Sequence, residues 1–176
     1  MGGPYSSSFF KGMVWAYRLV DLFRDPGRRL GGFDIRRGDV VVDYGCGPGR
    51  YLRAAAALVG PEGRVYAADI HPLSAVHVDR VIARSGLKNV VPITIRDGRS
   101  AVPDGTADLV YALDMFHRVD DPAPFLAEIR RIAKPGGRLI IEDGHQPRRR
   151  TLAKLAQSPL WRIERESKRD VRLRAA

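Results

Sequence analysis

The apolar positions between residues 40 and 142 form short runs that alternate with longer amphipathic segments. The β-branched run Val40–Tyr44 is typical of a strand buried on both faces. Further strands are predicted at residues 64–69, 89–95, 107–113 and 138–142, and helices between them at residues 50–59, 71–84 and 122–133. Strands that alternate with helices in this way indicate a parallel sheet built from right-handed crossover units.

The two ends of the chain have different patterns. Residues 8–24 carry one apolar stripe at spacings of three and four, which predicts a helix, and residues 28–38 are predicted to form a loop. A last helix is predicted at residues 149–157, followed by two short strands in which apolar and charged residues alternate. Because the link between these strands is too short for a parallel crossover, we expect them to pair antiparallel.

Together these elements predict an α/β fold: a three-layer sandwich whose seven-stranded sheet is mostly parallel and ends in an antiparallel hairpin. The length of 176 residues suits one domain. We divide it into an N-terminal helix and loop (1–38), a core (39–144) and a C-terminal helix and hairpin (145–176). No apolar run reaches the ~18 residues of a membrane span and no signal peptide is evident, so we expect a cytoplasmic protein without membrane contact.

Basic charge is concentrated at the ends. The chain has 30 Lys and Arg residues against 20 Asp and Glu residues, a formal net charge of +10. The core is near neutral, and the excess lies in residues 1–38 and 145–176. Such flanks could bind nucleic acid, but most of the basic residues are Arg, which favours a compositional origin, and no nucleic-acid-binding motif is visible. The single cysteine, Cys46, excludes an internal disulfide and a cysteine-cluster metal site.

A glycine-rich loop is the sharpest feature of the core. The segment Asp43-Tyr44-Gly45-Cys46-Gly47-Pro48-Gly49 lies directly between a predicted strand and a predicted helix. In open α/β sheets this crevice is where nucleotide-like ligands bind. Asp69 ends the next strand 24 residues after Gly45, near the spacing of about 20 expected for a carboxylate that accepts ribose hydroxyls. A dinucleotide fingerprint would require another glycine where Arg50 stands.

These motifs resemble those of the class I S-adenosylmethionine-dependent methyltransferases, which have a Rossmann-like fold. The resemblance is dense over residues 39–144 and looser over the terminal hairpin. It is carried by the following segments, in the family's order and at its spacing: Val41–Tyr51, Asp69-Ile70, Asp97-Gly98, Asp108–Val119 and Lys134-Pro135-Gly136-Gly137.

The resemblance implies a binding role for S-adenosylmethionine, position by position. The loop containing Tyr44, Gly45, Cys46, Gly47 and Gly49 would cradle the methionine portion of the cofactor, with Asp43 near its amino group. Asp69 would hold the ribose hydroxyls, with Ile70 against the adenine. Asp97 would face the adenine amino group beside Gly98, and Leu113 and Asp114 would line the methyl-donor site.

Candidate catalytic and substrate residues lie beyond the ends of strands. His117 and His145 are the candidates for a general base, a role that suits histidine as a residue type, although a loop histidine with a structural hydrogen bond is the favoured interpretation of each. Asp143 could orient a substrate. The N-terminal helix could be a lid, with Tyr5 near the entrance and Phe10 and Tyr17 as apolar walls, together with Phe9 and Trp15. The alternative is that these aromatic residues are ordinary core.

The predicted activity is therefore methyl transfer from S-adenosylmethionine to a small molecule by in-line displacement. The chain lacks the Asn/Asp-Pro-Pro-Tyr tetrad of base-amino methyltransferases, and its cysteine lies in the cofactor loop, which disfavours cysteine-dependent methylations. Methylation of RNA or protein through the basic flanks, and cofactor binding without catalysis, remain alternatives. Nucleic acid is a possible but not a favoured partner. We expect no metal, and a pocket that is open or completed by a second copy in a homodimer.

Overall fold

A computed structural model describes residues 6–21, 23 and 25–176. Its sheet has the strand order β3-β2-β1-β4-β5-β7-β6. The strands are β1 Val40–Tyr44, β2 Arg64–Asp69, β3 Val90–Thr94, β4 Ala107–Ala112, β5 Ala133–Glu142, β6 Trp161–Glu166 and β7 Asp170–Ala175. The α-helices are α1 Ser7–Asp21, α2 Gly27–Leu30, α3 Leu52–Val59, α4 Pro72–Ser85, α5 Pro122–Ile132 and α6 Arg148–Leu155, and a 3₁₀ turn covers Phe116–Arg118.

The sheet is parallel except at β7. Strand β1 pairs in parallel with β2 on one side and with β4 on the other. The chain therefore leaves β1 in one direction and later returns to pair on its other side, so a crevice opens between the carboxyl ends of β1 and β4. Strand β7 lies between β5 and β6 and runs antiparallel to both. This arrangement confirms the predicted fold class.

Two apolar layers cover the sheet, one on each face. Successive side chains of β1 alternate between them, as strand geometry requires. Val42 packs in the layer that contains Phe125 of α5, and Val41 packs in the layer that contains Leu52 of α3. Each such fully buried side chain contributes about 1.5–3 kcal/mol of hydrophobic stabilisation. Because both faces are covered, the carboxyl edge of the parallel strands is the part of the sheet left for ligands.

The segment predicted as a loop at residues 28–38 contains an additional helix, α2, and two core residues. Leu30 and Phe33 are fully buried, and the Phe33 ring lies 5.9 Å from that of Tyr111 on β4. Arg138 of β5 donates hydrogen bonds to the backbone oxygens of Phe33 and Asp34. The conformation of this segment is therefore set by tertiary contacts, because its apolar pattern is too short to show the period of a helix. Strand β5 also begins earlier than predicted, because Ala133 pairs with Ala107 before an irregularity in the ladder.

Among residues 6–21, 23 and 25–176, no helix is both long enough and apolar enough to cross a bilayer.

Candidate functional site

A cleft of about 1050 Å³ opens at the carboxyl edge of the sheet. This volume is at the upper end of the range usual for small-molecule and cofactor sites. Its walls come from the loops that follow β1, β2 and β4 and from α1, which lies across the opening. The cleft is therefore at the place where the reversal of strand order predicts a ligand site.

The glycine-rich loop forms the floor of the cleft because its backbone adopts conformations that other residues avoid. Gly45 and Gly47 have φ angles of +86° and +52°. The backbone N–H groups of Gly45 and Cys46 donate to the carbonyl of Ala68 on β2, at 2.7 and 3.1 Å. A Cβ atom at Gly45 would lie 2.8 Å from Cγ of Met115. A side chain at this position would therefore close the space between the two loops.

Asp69 joins the glycine loop to the start of α4. One carboxylate oxygen accepts from the backbone N–H of Gly47 and the other from that of His71, both at 2.7 Å. Burial raises the pKa of Asp69, and these N–H groups act in the opposite direction. The carboxylate lines the cleft in an orientation fixed by two backbone donors, which suits a group that must accept hydrogen bonds from a bound ligand.

Asp43 places a buried carboxyl at the end of β1. Its Oδ2 atom has no hydrogen-bond partner among the described residues. Burial raises the pKa of Asp43 to about 8, and the nearby Tyr111 hydroxyl offsets part of this increase. The Tyr111 hydroxyl is also buried and makes no hydrogen bond to the described residues. A buried acceptor without a donor is costly. Because Asp43 lines the cleft, a ligand ammonium group could supply the missing donor.

Cys46 has a packing role in this loop. Its thiol is buried and lies 3.4 Å from the hydroxyl of Ser74, which in turn donates to the carbonyl of Gly47. Burial raises the pKa of the Cys46 thiol well above its ordinary value. The thiol is therefore protonated near neutral pH and is a poor nucleophile.

Helix α1 is fastened over the cleft at three points. The buried ring of Phe10 stacks on His71, with centroids 4.4 Å apart. The hydroxyl of Tyr17 donates to Oδ2 of Asp114 at 3.4 Å. Asp21 accepts from Nε and Nη2 of Arg50, at 2.8 and 2.6 Å. These contacts make α1 a cover for the space between the glycine loop and the loop after β4.

Asp114, His117 and His145 meet beside the methyl-donor end predicted from the sequence. Nε2 of His145 lies 3.6 Å from Oδ1 of Asp114. The two imidazole rings are 5.0 Å apart and nearly perpendicular. Burial lowers the pKa of His117, so its ring is neutral near pH 7. Asp114 has a φ angle of +51°, a strained conformation that holds its carboxylate between Tyr17 and His145.

Comparison with known proteins identifies the domain. Residues 42–141, more than half of the chain, match the family described as "Methyltransferase domain". The chain belongs to this family. It is similar to a crystal structure of an S-adenosylmethionine-dependent methyltransferase from Aquifex aeolicus, with 28% identity, coverage of 98% of both chains and a TM-score of 0.79. The resemblance seen in the sequence is confirmed, and S-adenosylmethionine is the cofactor of this domain.

The curated relatives of this methyltransferase domain differ in their acceptors. A ubiquinone/menaquinone biosynthesis C-methyltransferase from Hydrogenovibrio crunogenus is 37% identical over 143 residues, which cover 80% of this chain and 55% of that protein. A protein-L-isoaspartate O-methyltransferase from Aeropyrum pernix is 30% identical over 149 residues, which cover 82% of this chain and 53% of that protein. The chain thus spans about half the length of these curated relatives.

The structure brings most of the residues expected to bind the cofactor into one cleft. The predicted residues that line it are Phe10, Tyr17, Asp43, Tyr44, Gly45, Cys46, Gly47, Asp69, Ile70, Leu113 and Asp114. His117 and His145 lie behind Asp114 and outside this lining. Gly49 also lies outside it and forms the entry to α3, while Phe9 and Trp15 are exposed on the outer side of α1.

Asp97, Gly98 and Asp143 lie outside the cleft lining. Asp97 and Gly98 are exposed in a tight turn closed by Arg96 and Arg99, and the cleft lining includes Ile95 instead. Asp143 is held by Arg148, whose Nε and Nη2 donate to it at 2.9 and 2.8 Å, and it does not line the cleft. Tyr5 lies outside the described residues.

Several cleft residues of the methyltransferase domain were missed from the sequence. His71 was assigned only to the start of a helix, and it does cap α4 by accepting from the backbone N–H of Leu73. It also contacts Phe10, which no local pattern could indicate. Met115 follows the predicted pair Leu113 and Asp114 directly, so its position was a usable signal. Arg29 lines the cleft from α2 and is paired with Glu142 and Asp170.

Proposed function

We propose that this protein transfers the methyl group of S-adenosylmethionine to a small-molecule acceptor in the cleft beneath α1. The observation that carries the proposal is the pair of acidic cleft residues, Asp43 and Asp69, on either side of a glycine loop in which a side chain at Gly45 would collide with Met115. When bound, S-adenosylmethionine supplies a sulfonium methyl group that is already activated for transfer. The protein's task is then to position an acceptor and exclude water.

The cofactor would be held by four groups of the described chain. The backbone of residues 45–49 cradles its methionine portion, and the orphaned oxygen of Asp43 accepts from its ammonium group. Asp69, already fixed by two backbone donors, accepts from the ribose hydroxyls. Ile70 lies in the cleft beside Asp69 and provides an apolar surface for the adenine.

The side chains beyond β4 would serve the acceptor. Leu113 and Asp114 line the donor end of the cleft. If the acceptor must lose a proton, His117 and His145 are the proposed bases, because a neutral imidazole can take up a proton near pH 7. Asp114 would orient His145, to which it is adjacent, and would receive the hydroxyl of Tyr17 from the lid.

A small acceptor fits both the lid and one group of relatives. Phe10, Met13 and Met115 give the inner surface of the cleft an apolar part, next to the acids and arginines at its rim. The ubiquinone/menaquinone biosynthesis relative supports an acceptor with an apolar ring. The protein-L-isoaspartate relative supports the second candidate, a macromolecular acceptor docked through the basic flanks.

Calorimetry with S-adenosylhomocysteine tests the cofactor site first. We expect Asp69→Asn and Asp43→Asn to weaken binding by about tenfold or more. Asp69→Asn removes a carboxylate oxygen from the cleft, and Asp43→Asn removes a buried carboxyl that can ionise when a cationic group binds beside it. Asp79→Asn is the matched control, because Asp79 is exposed on α4 away from the cleft. Equal affinity in all four proteins would overturn the assignment.

Turnover of the methyl donor against a metabolite panel then tests the acceptor class. Methylation of a phenol, quinol or carboxylate by the parent protein supports the proposal. Methylation restricted to RNA or polypeptide fractions would favour the second candidate. Cofactor binding without turnover on either panel would identify a non-catalytic binding protein.

A further inference from the structure

Asp114, His117 and His145 form a cluster of side chains that could bind a metal ion as well as transfer a proton. One possible ligand atom from each residue lies within 4.8 Å of the other two. All three belong to the loops that follow β4 and β5, so the sheet edge brings them together from positions 31 residues apart in the chain. Asp114 alone also lines the cleft, and it therefore connects the cluster to the methyl-donor end.

One imidazole nitrogen of this cluster is buried and has no ordinary partner. Nδ1 of His117 is buried and has no hydrogen-bond partner within the described part of the chain. It faces the backbone of Gly144, where a built Cβ would collide with it and would also approach Oδ1 of Asp114 to 3.2 Å. Because Gly144 has no side chain, the space between Nδ1 of His117 and Oδ1 of Asp114 stays open. Buried polar atoms in native proteins normally have a partner, such as an ion or water.

We propose that Asp114, His117 and His145 bind a divalent transition-metal ion of the zinc type. Two imidazoles and one carboxylate are a common three-residue ligand set for Zn²⁺ and related ions, whereas Mg²⁺ and Ca²⁺ prefer oxygen ligands alone. Three protein ligands leave at least one coordination position open. Because Asp114 also lines the cleft, a bound ion would lie next to the methyl-donor end.

The geometry requires only a small adjustment. Bonds of about 2.0–2.2 Å to a common ion bring ligand atoms within roughly 3.5–4 Å of one another. The side chain of His145 is 80% exposed and follows Gly144, so it is free to turn inward. Glu142 adds negative charge near Asp114, and Arg118 and Lys154 add positive charge near His117. Glu142 is itself paired with Arg29, so Asp114 is the negative charge available to the ion.

Metal binding can be measured without turnover, so its failure can be told apart from a failure of the proposed methyl transfer. The two proposals do meet at the histidines, because a nitrogen that binds a metal ion cannot also accept a proton. Occupancy of the site would therefore remove His117 and His145 as bases.

Titration of the full chain with Co²⁺, followed by its visible absorption, tests the site directly. We expect one ion per chain and the intense band of a low-coordinate Co²⁺ complex, with displacement by Zn²⁺. His145→Ala, His117→Ala and Asp114→Asn should each weaken binding by about tenfold or more. His77→Gln, which removes an imidazole from α4 outside the cluster, is the matched control and should bind as the parent does.

Substitution of His145 keeps the test decisive if the other variants fail to fold. Because its side chain is mostly exposed, His145→Ala should retain the circular dichroism spectrum and the S-adenosylhomocysteine affinity of the parent. Loss of the Co²⁺ band in this folded variant supports the site. No band in the parent, or an equal loss in His77→Gln, would show that the cluster does not bind a metal.

Discussion

Asp43 shows how one buried group can link stability, pH and ligand binding. No group in the described part of the chain donates to its Oδ2, and burial raises its pKa from 3.8 to about 8. In the unfolded chain the same group ionises near pH 4. Between these values the folded protein holds a proton that the unfolded chain has released. The contribution of Asp43 to the free energy of unfolding therefore falls as the pH rises from about 4 to about 8.

The first prediction concerns Asp43→Asn in the cofactor-free protein. The asparagine cannot ionise, so the variant should gain stability relative to the parent as the pH rises, by about 1 kcal/mol or more at pH ~9. Urea unfolding across this pH range measures the difference. Asp79→Asn, at an exposed residue of α4, is the control for an Asp-to-Asn change outside the cleft. A stability difference between Asp43→Asn and the parent that does not change with pH would contradict the raised pKa of Asp43.

The second prediction concerns Gly45→Ala. The substitution adds a Cβ 2.8 Å from Met115 to a residue with φ of +86°. We expect a loss of about 1–3 kcal/mol of stability and a loss of S-adenosylhomocysteine binding of about tenfold or more. Thermal unfolding and calorimetry measure the two effects.

Gly105→Ala separates backbone strain from the steric effect in the cleft. Gly105 also has a positive φ, +62°, but a Cβ there would meet no atom within 4 Å. This control should lose stability through strain and keep the parent's affinity. If both variants bind alike, the glycine loop does not require the space above Gly45.

Individual residues also mark the limit of what the sequence revealed. Asp43, the glycines and Asp69 were identified because a strand, a loop and a second strand follow one another locally. His71 and Arg29 were missed, since their contacts with Phe10 and with Asp170 join segments that are distant in the sequence. Asp97 was identified from the Asp-Gly motif after β3, but it does not line the cleft.

At the scale of elements, α1 differs from the helices of the core. It packs over the cleft through a few side chains, while its outer side exposes Phe9, Trp15 and Leu19. Few buried contacts allow a segment to open locally at low cost. Helix α1 is therefore the element most suited to opening for cofactor entry.

The third prediction concerns Phe10→Ala. Replacing a buried phenylalanine with alanine lowers the stability of a core by about 3–5 kcal/mol. Helix α1 is held by few contacts, so we expect a loss of this size to release it from the cleft. We expect faster proteolysis within α1, weaker S-adenosylhomocysteine binding and little change in the melting of the remaining domain. Phe9→Ala is the matched control, because the neighbouring ring is 54% exposed. Equal protease resistance in the two variants would argue against the lid.

Strands and helices with a clear apolar pattern were predicted, and an element too short to show one was not. The strand–helix alternation of the core predicted the parallel sheet, and the alternating residues near the C-terminus predicted the hairpin. Helix α2 has only four residues, too few to show a period of 3.6, and it exists because Leu30 and Phe33 are buried against the sheet. Strand β5 began early because pairing with β4, rather than local propensity, sets its first residue.

At the scale of the whole molecule, the basic excess after residue 144 divides into paired and exposed side chains. Part of it is neutralised: Arg148 pairs with Asp143 and Glu166, and Arg174 pairs with Glu164. Other basic side chains remain exposed on α6, β6 and the turn after it, namely Arg149, Arg150, Arg162, Arg165, Lys168 and Arg169. Of these, Arg169 also lines the cleft, whereas Arg162 and Arg165 on β6 do not. The net charge of this flank is visible in the sequence, but only the structure separates paired from exposed residues.

The fourth prediction tests this surface by reversing charge on β6. Arg162→Glu combined with Arg165→Glu should abolish any salt-sensitive retardation of RNA and leave turnover of a small acceptor unchanged. Gel shifts at about 50 and 200 mM salt, with donor turnover measured in parallel, provide both readouts. A parallel loss of turnover would mean that the basic flank belongs to the acceptor site, which would favour a macromolecular acceptor.

The position of β7 has a consequence for how the protein is made. During synthesis β6 leaves the ribosome before β7, yet β7 must lie between β6 and β5 in the finished sheet. Until β7 is in place, the edge of β5 that faces away from β4 is unpaired, and β6 has no strand to pair with. Exposed edges invite pairing with other chains. Strand β6 is protected in this interval by its own composition, since four of its six residues are charged. We therefore expect the charged residues of β6 to disfavour aggregation of the nascent chain until β7 pairs with β5 and β6.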